Sequence, residues 1–456
     1  MQSTIDFSKY YKALENLDTL EHAGRVTKIV GLAVEATGPA SRIGDICNMY
    51  TLDGTRSVQS EIVGFREGQT LLMPFGSVEG IGLGSYVVYT NISLKVPVGR
   101  NLMGRVLDAL GRPFDDLPVP EPETWYPAEN TPPNPLSRDR IHDILPLGIK
   151  AIDSMLTVGR GQRLGIFSGS GVGKSTLLGM IAKYAVADVN VIILVGERGR
   201  EVRDFIERDL GEEGLRKSVL VIATSDQPAL LRLKCAMTGT AIAEYFRDCG
   251  YKVLLLLDSI TRFAMAQREI GMAAGEPPVS RGFPPSVYTI LPKLLERSGM
   301  SDKGSITGLY TVLVEGDDMN EPISDTVRGI LDGHIVLSRA IANSNHYPPI
   351  DILGSVSRVM PDIITKEHFD AYGTIKNMIA VYREAEDLIN IGAYKPGANP
   401  EIDRAIKLHP AIQSFLKQGT TESYTFEQTL DMLEGILGSG EPGGEKTDKR
   451  ARTAAR

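Results

Sequence analysis

The chain has 456 residues, a formal net charge of −8 at pH 7, and 42% hydrophobic and 23% charged residues, a composition typical of a soluble globular protein with about three domains. The acidic balance disfavours a dedicated nucleic-acid binder, which usually carries a basic surplus. The three cysteines have no metal-ligand or paired spacing, which indicates buried thiols in a reducing compartment. Because the sequence contains no signal peptide and no apolar run of about 18 residues, we expect a cytoplasmic protein that does not span a membrane.

The first part of the chain predicts a helical segment followed by a small β domain. In residues 1–22, apolar and aromatic side chains recur every three or four positions, as on one face of a helix, and residues 1–23 are taken as a separate segment. Between residues 24 and 93, short runs of β-forming residues alternate with Gly, Asp and Asn turn signals. Short strands at this spacing are typical of a small barrel or sandwich.

The remainder of the chain predicts an α/β domain and then a helical domain. Residues 94–360 form the α/β domain, because continuous apolar strands alternate there with helical patterns, as in a buried parallel sheet. Seven prolines in residues 118–135 mark an extended connector inside this domain. Residues 361–437 are mostly helical in pattern, and the Gly- and charge-rich tail 438–456 is predicted to be disordered.

A glycine-rich loop, SGSGVGKST at residues 168–176, lies between an apolar strand and a helix. This context is that of a phosphate-binding P-loop, in which glycines let backbone N–H groups point at phosphate oxygens. Lys174 would reach the β- and γ-phosphates of ATP, and the Ser175 hydroxyl would ligate Mg²⁺. Ser168 stands where the motif usually has glycine. The predicted nucleotide contacts are Ser170, Gly171, Val172, Gly173, Lys174, Ser175 and Thr176.

Two acidic residues follow apolar strands and complete the predicted chemistry. Asp258 ends the run VLLLLD, and since ligands bind at the carboxyl ends of parallel strands, it is predicted to hold the metal with Ser175. The alternative for Asp258 is a helix N-cap. Glu197 ends the run VIILVGE and is predicted to polarise the attacking water, the alternative being a charge that caps the next helix.

Longer motifs resemble a known family. GERGRE, LLLDSITRFAMAQRE, GEPPVSRGFPPSVY and ILGSVSRVM resemble the rotary-ATPase catalytic subunits, while ATSDQPALLRLKCAMTGTAIAEYFRD and NIGAYKPGANPEIDRAI resemble the type III protein-export ATPases, the flagellar branch above all. The resemblance covers about residues 24–437. It implies an α/β fold with a P-loop (RecA/F1-like), mostly parallel sheet core, an N-terminal β-barrel and a C-terminal helical domain.

The resemblance also implies roles for further residues. Arg198 and Arg262 match arginines near the γ-phosphate, and Arg358 matches an arginine finger inserted into a neighbouring subunit's site. Without the motif, Arg358 would be interpreted as an ordinary surface ion pair. Tyr347 matches an aromatic residue that stacks on adenine, the alternative being a core tyrosine. Where rotary subunits place a second aromatic residue near the base, this chain has Thr420.

The partners implied by the resemblance are those of an export machine. They are five further copies of the chain in a homohexamer, a flagellar export regulator at the N-terminal helix, a central stalk protein, the export gate and chaperone–cargo complexes. A plain domain-packing helix is the alternative for residues 1–22. The expected location is cytoplasmic, peripherally at the inner face of the cytoplasmic membrane. Basic residues in the tail would favour acidic lipids, although a solvated tail is the simpler interpretation.

The predicted function is therefore Mg-dependent ATP hydrolysis by a ring-forming ATPase that energises flagellar type III protein export. A virulence injectisome export ATPase is the main alternative, followed by an ion-driven synthase subunit. A non-catalytic nucleotide-binding ring subunit is disfavoured because Glu197 is present. An RNA-driven hexameric helicase is disfavoured because residues 24–93 offer little basic and aromatic surface for RNA.

Overall fold

The computed structural model describes residue 7 and residues 22–438, except residues 315 and 317. The predicted N-terminal helix with its docking role, and the predicted disorder of the tail, therefore lie outside the described residues. The chain divides into two compact units. One contains the residues up to Lys95 together with Gln227–Leu231 and Ala266–Pro285, and the other contains the remainder.

The first unit contains a closed six-stranded barrel, in the order β1-β2-β5-β4-β3-β6. All its neighbouring strands are antiparallel, and β1 closes the barrel by pairing with β6. Alternate residues point inward, so that Cys47, Met49 and Val87 lie in its apolar core. The barrel alternative is thus confirmed over the sandwich. Its strands are β1 His22–Val30, β2 Ala33–Ala36, β3 Asp45–Tyr50, β4 Ser57–Arg66, β5 Gln69–Pro74 and β6 Tyr86–Ser93.

The second unit is built on a nine-stranded sheet, in the order β17-β16-β10-β15-β13-β11-β12-β8, with β14 paired to β15. The pairs are parallel except β14 with β15 and β16 with β17, which confirms a mostly parallel sheet. A separate two-stranded sheet pairs β7 with β9. These strands are β7 Lys95–Val98, β8 Val106–Asp108, β9 Thr124–Pro127, β10 Arg163–Ser168, β11 Val189–Glu197, β12 Ser218–Thr224, β13 Lys252–Asp258, β14 Gly299–Met300, β15 Ser305–Leu313, β16 Gly333–Leu337 and β17 Val356–Ser357.

Helices connect the strands of this sheet and form the C-terminal part of the chain, as predicted. A π-helical turn, Phe205–Leu210, joins the helix Gly199–Asp204 to the helix Gly211–Arg216. The helices are α1 Lys150–Met155, α2 Lys174–Tyr184, α3 Gly199–Asp204, α4 Gly211–Arg216, α5 Ala229–Asp248, α6 Ile260–Ala274, α7 Pro285–Leu295, α8 Pro322–Ile330, α9 Arg339–Asn343, α10 Met360–Ile363, α11 Lys366–Asn390, α12 Pro400–Leu416 and α13 Phe426–Gly438.

Burial follows from the composition of the strands. The central strands β11 and β13 are apolar and almost entirely buried, because they lie in the middle of a sheet covered on its faces, as continuous apolar runs predict.

All three cysteines are free thiols; Cys47 and Cys235 are buried and Cys249 is half-buried. Among the described residues, every helix is too short or too polar to cross a membrane.

Candidate active site

The glycine-rich loop connects the end of β10 to the beginning of α2. Gly171 and Gly173 have φ angles of 76° and 94°, a left-handed conformation that glycine adopts without the steric cost of a Cβ atom. Gly173 is the N-cap of α2, and no side chain among the described residues caps this helix. The first N–H groups of α2 therefore remain available for an anion, and the helix dipole favours one there.

The loop borders a cavity of about 790 Å³. Most of the residues that the sequence predicted for nucleotide and catalysis lie on its wall, together with several that were not predicted. Val172 and Asp258 do not line the cavity. The Val172 side chain is buried in the apolar core, and Asp258 is buried beside Lys174. The lining residues are Gly169, Ser170, Gly171, Gly173, Lys174, Ser175, Thr176, Gly196, Glu197, Arg198, Glu201, Ser225, Thr261, Arg262, Met265, Leu313, Val314, Gly316 and Arg339.

Lys174 lies between the two predicted acids. Its Nζ donates to Asp258 Oδ1 at 2.5 Å and lies 3.5 Å from Glu197 Oε1. Burial by itself lowers the pKa of this ammonium group, but the charges of Asp258 and Glu197 outweigh burial and raise it. Lys174 is therefore a fixed cation, which suits it to bind a polyphosphate.

The two acids differ in their surroundings. Asp258 is buried and accepts a hydrogen bond of 2.7 Å from Thr311 Oγ1. Burial raises the pKa of Glu197, the charge of Asp258 raises it further, and Lys174 opposes both, giving a pKa of about 7. A carboxyl group with a pKa near neutral is suited to act as a general base.

Three arginines lie on the cavity wall. Arg198 is exposed and forms an ion pair of 2.7 Å with Glu201. Arg262 buries its Nε, for which the described part of the chain offers no acceptor. Arg339, which the sequence analysis missed, donates from Nη2 to the Ser170 carbonyl oxygen at 3.2 Å and so contacts the P-loop directly. An unpaired buried donor and an exposed arginine leave this wall able to bind further negative charge.

Tyr347 lies beside the P-loop, on a second cavity of about 820 Å³. A Cβ atom added at Gly173 would be 3.5 Å from its ring. Because 45% of Tyr347 is exposed, it is not a core tyrosine, contrary to the alternative drawn from the sequence. Thr420 does not line this cavity; Phe415 and Tyr424 provide its other aromatic rings. The Lys150 ammonium lies 4.6 Å from the centre of the Tyr424 ring.

Arg358 is not brought to the cavity of its own chain. It follows β17, its side chain is exposed, and its Nη1 donates to the Leu331 carbonyl oxygen at 3.3 Å. No carboxylate among the residues described in the structure pairs with it. The interpretation as an ordinary surface ion pair is therefore wrong for the described chain.

The residues that the sequence analysis missed depend on contacts between strands. Thr311 lies beside Asp258 because β13 and β15 run in parallel, with Leu257 opposite Tyr310. Ser225 immediately follows β12, the next strand after β11 in the sheet. Ser225 could have been found from its position at the carboxyl end of a strand, where ligands bind in parallel sheets. Thr311 lies inside β15 and has no such local signal.

A P-loop, a fixed lysine cation, a buried aspartate and a glutamate with a raised pKa at one sheet edge define the site of a P-loop ATPase. Family models agree with this assignment along most of the chain. Residues 26–91 match the ATP synthase alpha/beta family, beta-barrel domain. Residues 148–357 match its nucleotide-binding domain, and residues 364–435 match the T3SS EscN ATPase C-terminal domain.

Comparison with individual proteins narrows the assignment within this family. The flagellum-specific ATP synthase of Bacillus subtilis is 54% identical over 441 residues, covering 96% of this chain and 99% of that protein. The assembled ATPase EscN of the enteropathogenic E. coli type III secretion system is 47% identical, with a TM-score of 0.87 over 91% of this chain and all of that chain. EscN in complex with its central stalk EscO is 46% identical, with a TM-score of 0.84 and the same coverage. The chain belongs to the type III export ATPases of the ATP synthase alpha/beta family.

Proposed function

We propose that this chain hydrolyses Mg-ATP at sites between copies of itself and so energises flagellar type III protein export. The observation that carries the proposal is the position of Lys174 Nζ against both the buried Asp258 and Glu197, which lines the P-loop cavity. A simple nucleotide-binding subunit has no use for a carboxyl group with a pKa near 7 at that place. The branch is supported by the 54% identity to a flagellum-specific ATP synthase.

The residues on the cavity wall have distinct parts in the proposed reaction. The loop N–H groups and Lys174 bind the β- and γ-phosphates. Glu197 lies on the cavity wall beside Lys174. From there it accepts a proton from the attacking water, or orients that water. Arg262 and Arg198 bind negative charge on the γ-phosphoryl group as it is transferred. Tyr347 stacks on the adenine.

The residues present fit a magnesium ion. Mg²⁺ prefers oxygen ligands and usually takes only one or two from the protein, the rest coming from phosphates and water. The Ser175 hydroxyl and the Asp258 carboxylate supply two such oxygens, and the described residues contain no group of three or more His, Cys, Asp or Glu side chains that could hold a metal without the nucleotide. When bound, the ion neutralises phosphate charge.

Arg358 is proposed to complete the site of a neighbouring copy. Its guanidinium has no carboxylate partner in the described chain and does not line the cavity of its own chain. An arginine supplied in trans stabilises charge in the transition state and is worth about 10³–10⁵ in rate in other systems. The relative EscN is an assembled ATPase, which supports a homohexamer here.

The proposed partners extend beyond the ring. A central stalk is supported by the complex of EscN with EscO. An export regulator at the N-terminal helix, the export gate, chaperone–cargo complexes and a peripheral position at the cytoplasmic membrane follow from the proposed export role.

The proposed activity is tested by Glu197→Gln. We expect turnover to fall by about 10²–10⁴-fold because the general base is lost, while Mg-ATP binding, followed by calorimetry or a fluorescent analogue, stays within a few-fold. The matched control is Glu207→Gln, since Glu207 pairs with Arg203 on an exposed surface; its turnover should remain normal. Turnover retained by Glu197→Gln would reject the proposed base.

The export branch is tested separately, because the EscN structures support an injectisome ATPase as the second candidate. In a strain that lacks the gene, we expect flagellin to disappear from the medium and motility to be lost. Normal motility together with loss of injectisome substrates from the medium would assign the chain to the second candidate.

A further inference from the structure

The backbone at Ser357 and Arg358 is held by a buried chain of polar groups. The fully buried Gln162 donates from Nε2 to the Ser357 hydroxyl at 3.0 Å and to the Asp332 carbonyl oxygen at 3.2 Å. The Ser357 hydroxyl in turn donates to the Thr157 carbonyl oxygen at 2.8 Å. The Arg358 N–H donates to the same Asp332 carbonyl oxygen at 3.0 Å. The Gln162 side-chain amide therefore links the Ser357 hydroxyl to the Asp332 carbonyl oxygen, which also accepts from the Arg358 N–H.

These polar groups are fully satisfied and enclosed. The Gln162 Oε1 accepts from the Gly159 N–H at 2.8 Å, so both ends of its amide are occupied. Ser357 is 7% exposed, and Thr157 is buried completely. Buried networks of this kind fix one backbone geometry, because any other arrangement would leave donors or acceptors unsatisfied.

The side chain of Arg358 has little that holds it by itself. It is exposed, and its one hydrogen bond within the described residues is the 3.3 Å contact with the Leu331 carbonyl oxygen. A long side chain with so few contacts keeps most of its rotamer freedom. Its reach toward a neighbouring molecule therefore depends on where the backbone places its Cα atom.

We propose that Gln162 and Ser357 are positioning residues that fix the Cα atom of Arg358, so that its guanidinium reaches the ATP site of an adjacent copy. This inference rests on the proposed trans role of Arg358. Neither residue lines the cavity of its own chain, so their effect is exerted at the neighbour's site. A displacement of about 1 Å of a reacting or stabilising group costs about 10²-fold in rate.

The first test is kinetic and uses Ser357→Ala. We expect kcat to fall by about 10- to 100-fold, with KM for ATP and the binding of an ATP analogue to the P-loop site little changed. Ser298→Ala is the matched control, since Ser298 is a buried serine too and its hydroxyl bonds to Tyr310 at 2.7 Å; its kcat should stay normal. A normal kcat for Ser357→Ala, or an equal loss in the control, would overturn the proposal.

The second test assigns the defect to the neighbour's site by mixing subunits. Ser357→Ala subunits retain Glu197, so mixing them with Glu197→Gln subunits should restore activity above that of either variant alone. Mixing them with Arg358→Ala subunits should restore nothing, because both then supply a faulty arginine. The reverse pattern, recovery with Arg358→Ala and silence with Glu197→Gln, would mean that Ser357 supports its own P-loop.

Two additions keep the outcome interpretable. If Ser357→Ala does not fold, as judged by its melting temperature, Gln162→Met takes its place, because it removes the same hydrogen bond to Ser357. A mixture of Glu197→Gln with Arg358→Ala subunits is run in parallel. Silence in that mixture would reject the trans role of Arg358, whereas recovery there combined with the reverse pattern for Ser357→Ala would reject only the positioning proposal.

Discussion

Glu197 shows how a single carboxyl group is prepared for chemistry by its neighbours. Its pKa is raised to about 7, first by burial and then by the charge of Asp258, while Lys174 lowers it. Glu201, in the following helix α3, also raises it through a hydrogen bond and its charge. A general base acts only when it is deprotonated. Near neutral pH, the free protein therefore contains both the protonated and the deprotonated form of Glu197, and only the deprotonated form suits the proposed base.

The raised pKa predicts how turnover depends on pH. In the free protein Glu197 is protonated below about pH 7, so kcat/KM should fall about tenfold per pH unit on the acid side and level off above pH 7. The measurement is kcat/KM for ATP over a pH series at constant ionic strength.

Glu201→Gln identifies the group that titrates. Removing the Glu201 charge lowers the pKa of Glu197, so the acid limb should move to lower pH while its slope is retained. An acid limb that stays in place, or that moves to higher pH, would assign the titration to another group. Glu207→Gln should leave the limb where it is in the wild type, because Glu207 is paired with Arg203.

The clustering of the predicted residues could be foreseen from the sequence where each residue ends a strand or lies in the loop. Lys174, Glu197 and Asp258 were found in this way, and the structure brings them together. Thr311 and Arg339 were missed, because their places at the site depend on which strands become neighbours in the sheet. The sequence pattern of a single strand does not show which strands will lie beside it in the sheet.

The proline-rich connector is an element whose structure depends on side chains from elsewhere. Its prolines predict an extended segment, and part of it forms β9. Tyr126 then bonds to Asp248 at 3.0 Å, and Glu129 bonds to the buried Lys234 at 2.7 Å, both on α5. Arg297 donates to the Ala128 carbonyl oxygen at 2.8 Å and forms a paired contact with Glu244. Composition predicted the extended backbone but not these bonds, which join distant parts of the chain.

The Arg297–Glu244 pair is predicted to hold this element in place. Both side chains are almost completely buried, and removing one partner of a buried ion pair leaves an uncompensated charge that costs about 3–5 kcal/mol. Arg297→Met should therefore lower the free energy of unfolding by about that amount, and Glu244→Met should do the same. Urea denaturation followed by circular dichroism measures both changes.

The double variant separates pairing from simple packing loss. Arg297→Met combined with Glu244→Met should cost clearly less than the sum of the single variants, because no unpaired charge remains. Arg203→Met, at an exposed pair with Glu207, is the control and should change stability little. Additive losses in the double variant would contradict a buried, coupled pair.

At the scale of the whole molecule, the order of the strands and helices along the chain was predictable, but the closing of the first strands into a barrel was not. Strand periodicity could not decide between a barrel and a sandwich, because that depends on whether β1 pairs with β6. In this pairing His22 lies opposite Tyr89, although the two residues are near opposite ends of the domain's sequence. The parallel sheet and the C-terminal helices were predicted, since long apolar runs and helical periodicity are local signals. Arg358 shows the limit of a single chain: its motif was recognisable, but the structure places it away from its own cavity.

The proposed role of Arg358 in the site of a second copy predicts that activity depends on assembly. A single chain has the P-loop, Lys174 and Glu197 but lacks a partner's Arg358, so its turnover should be low. We expect ATPase activity per mole of chain to rise with protein concentration, in parallel with the ring fraction measured by analytical ultracentrifugation. Arg358→Ala should assemble over the same range without that rise. Because the substitution leaves the P-loop intact, the difference between the two curves measures what the neighbour contributes; activity that follows assembly equally in both proteins would mean that the ring acts through something other than this arginine.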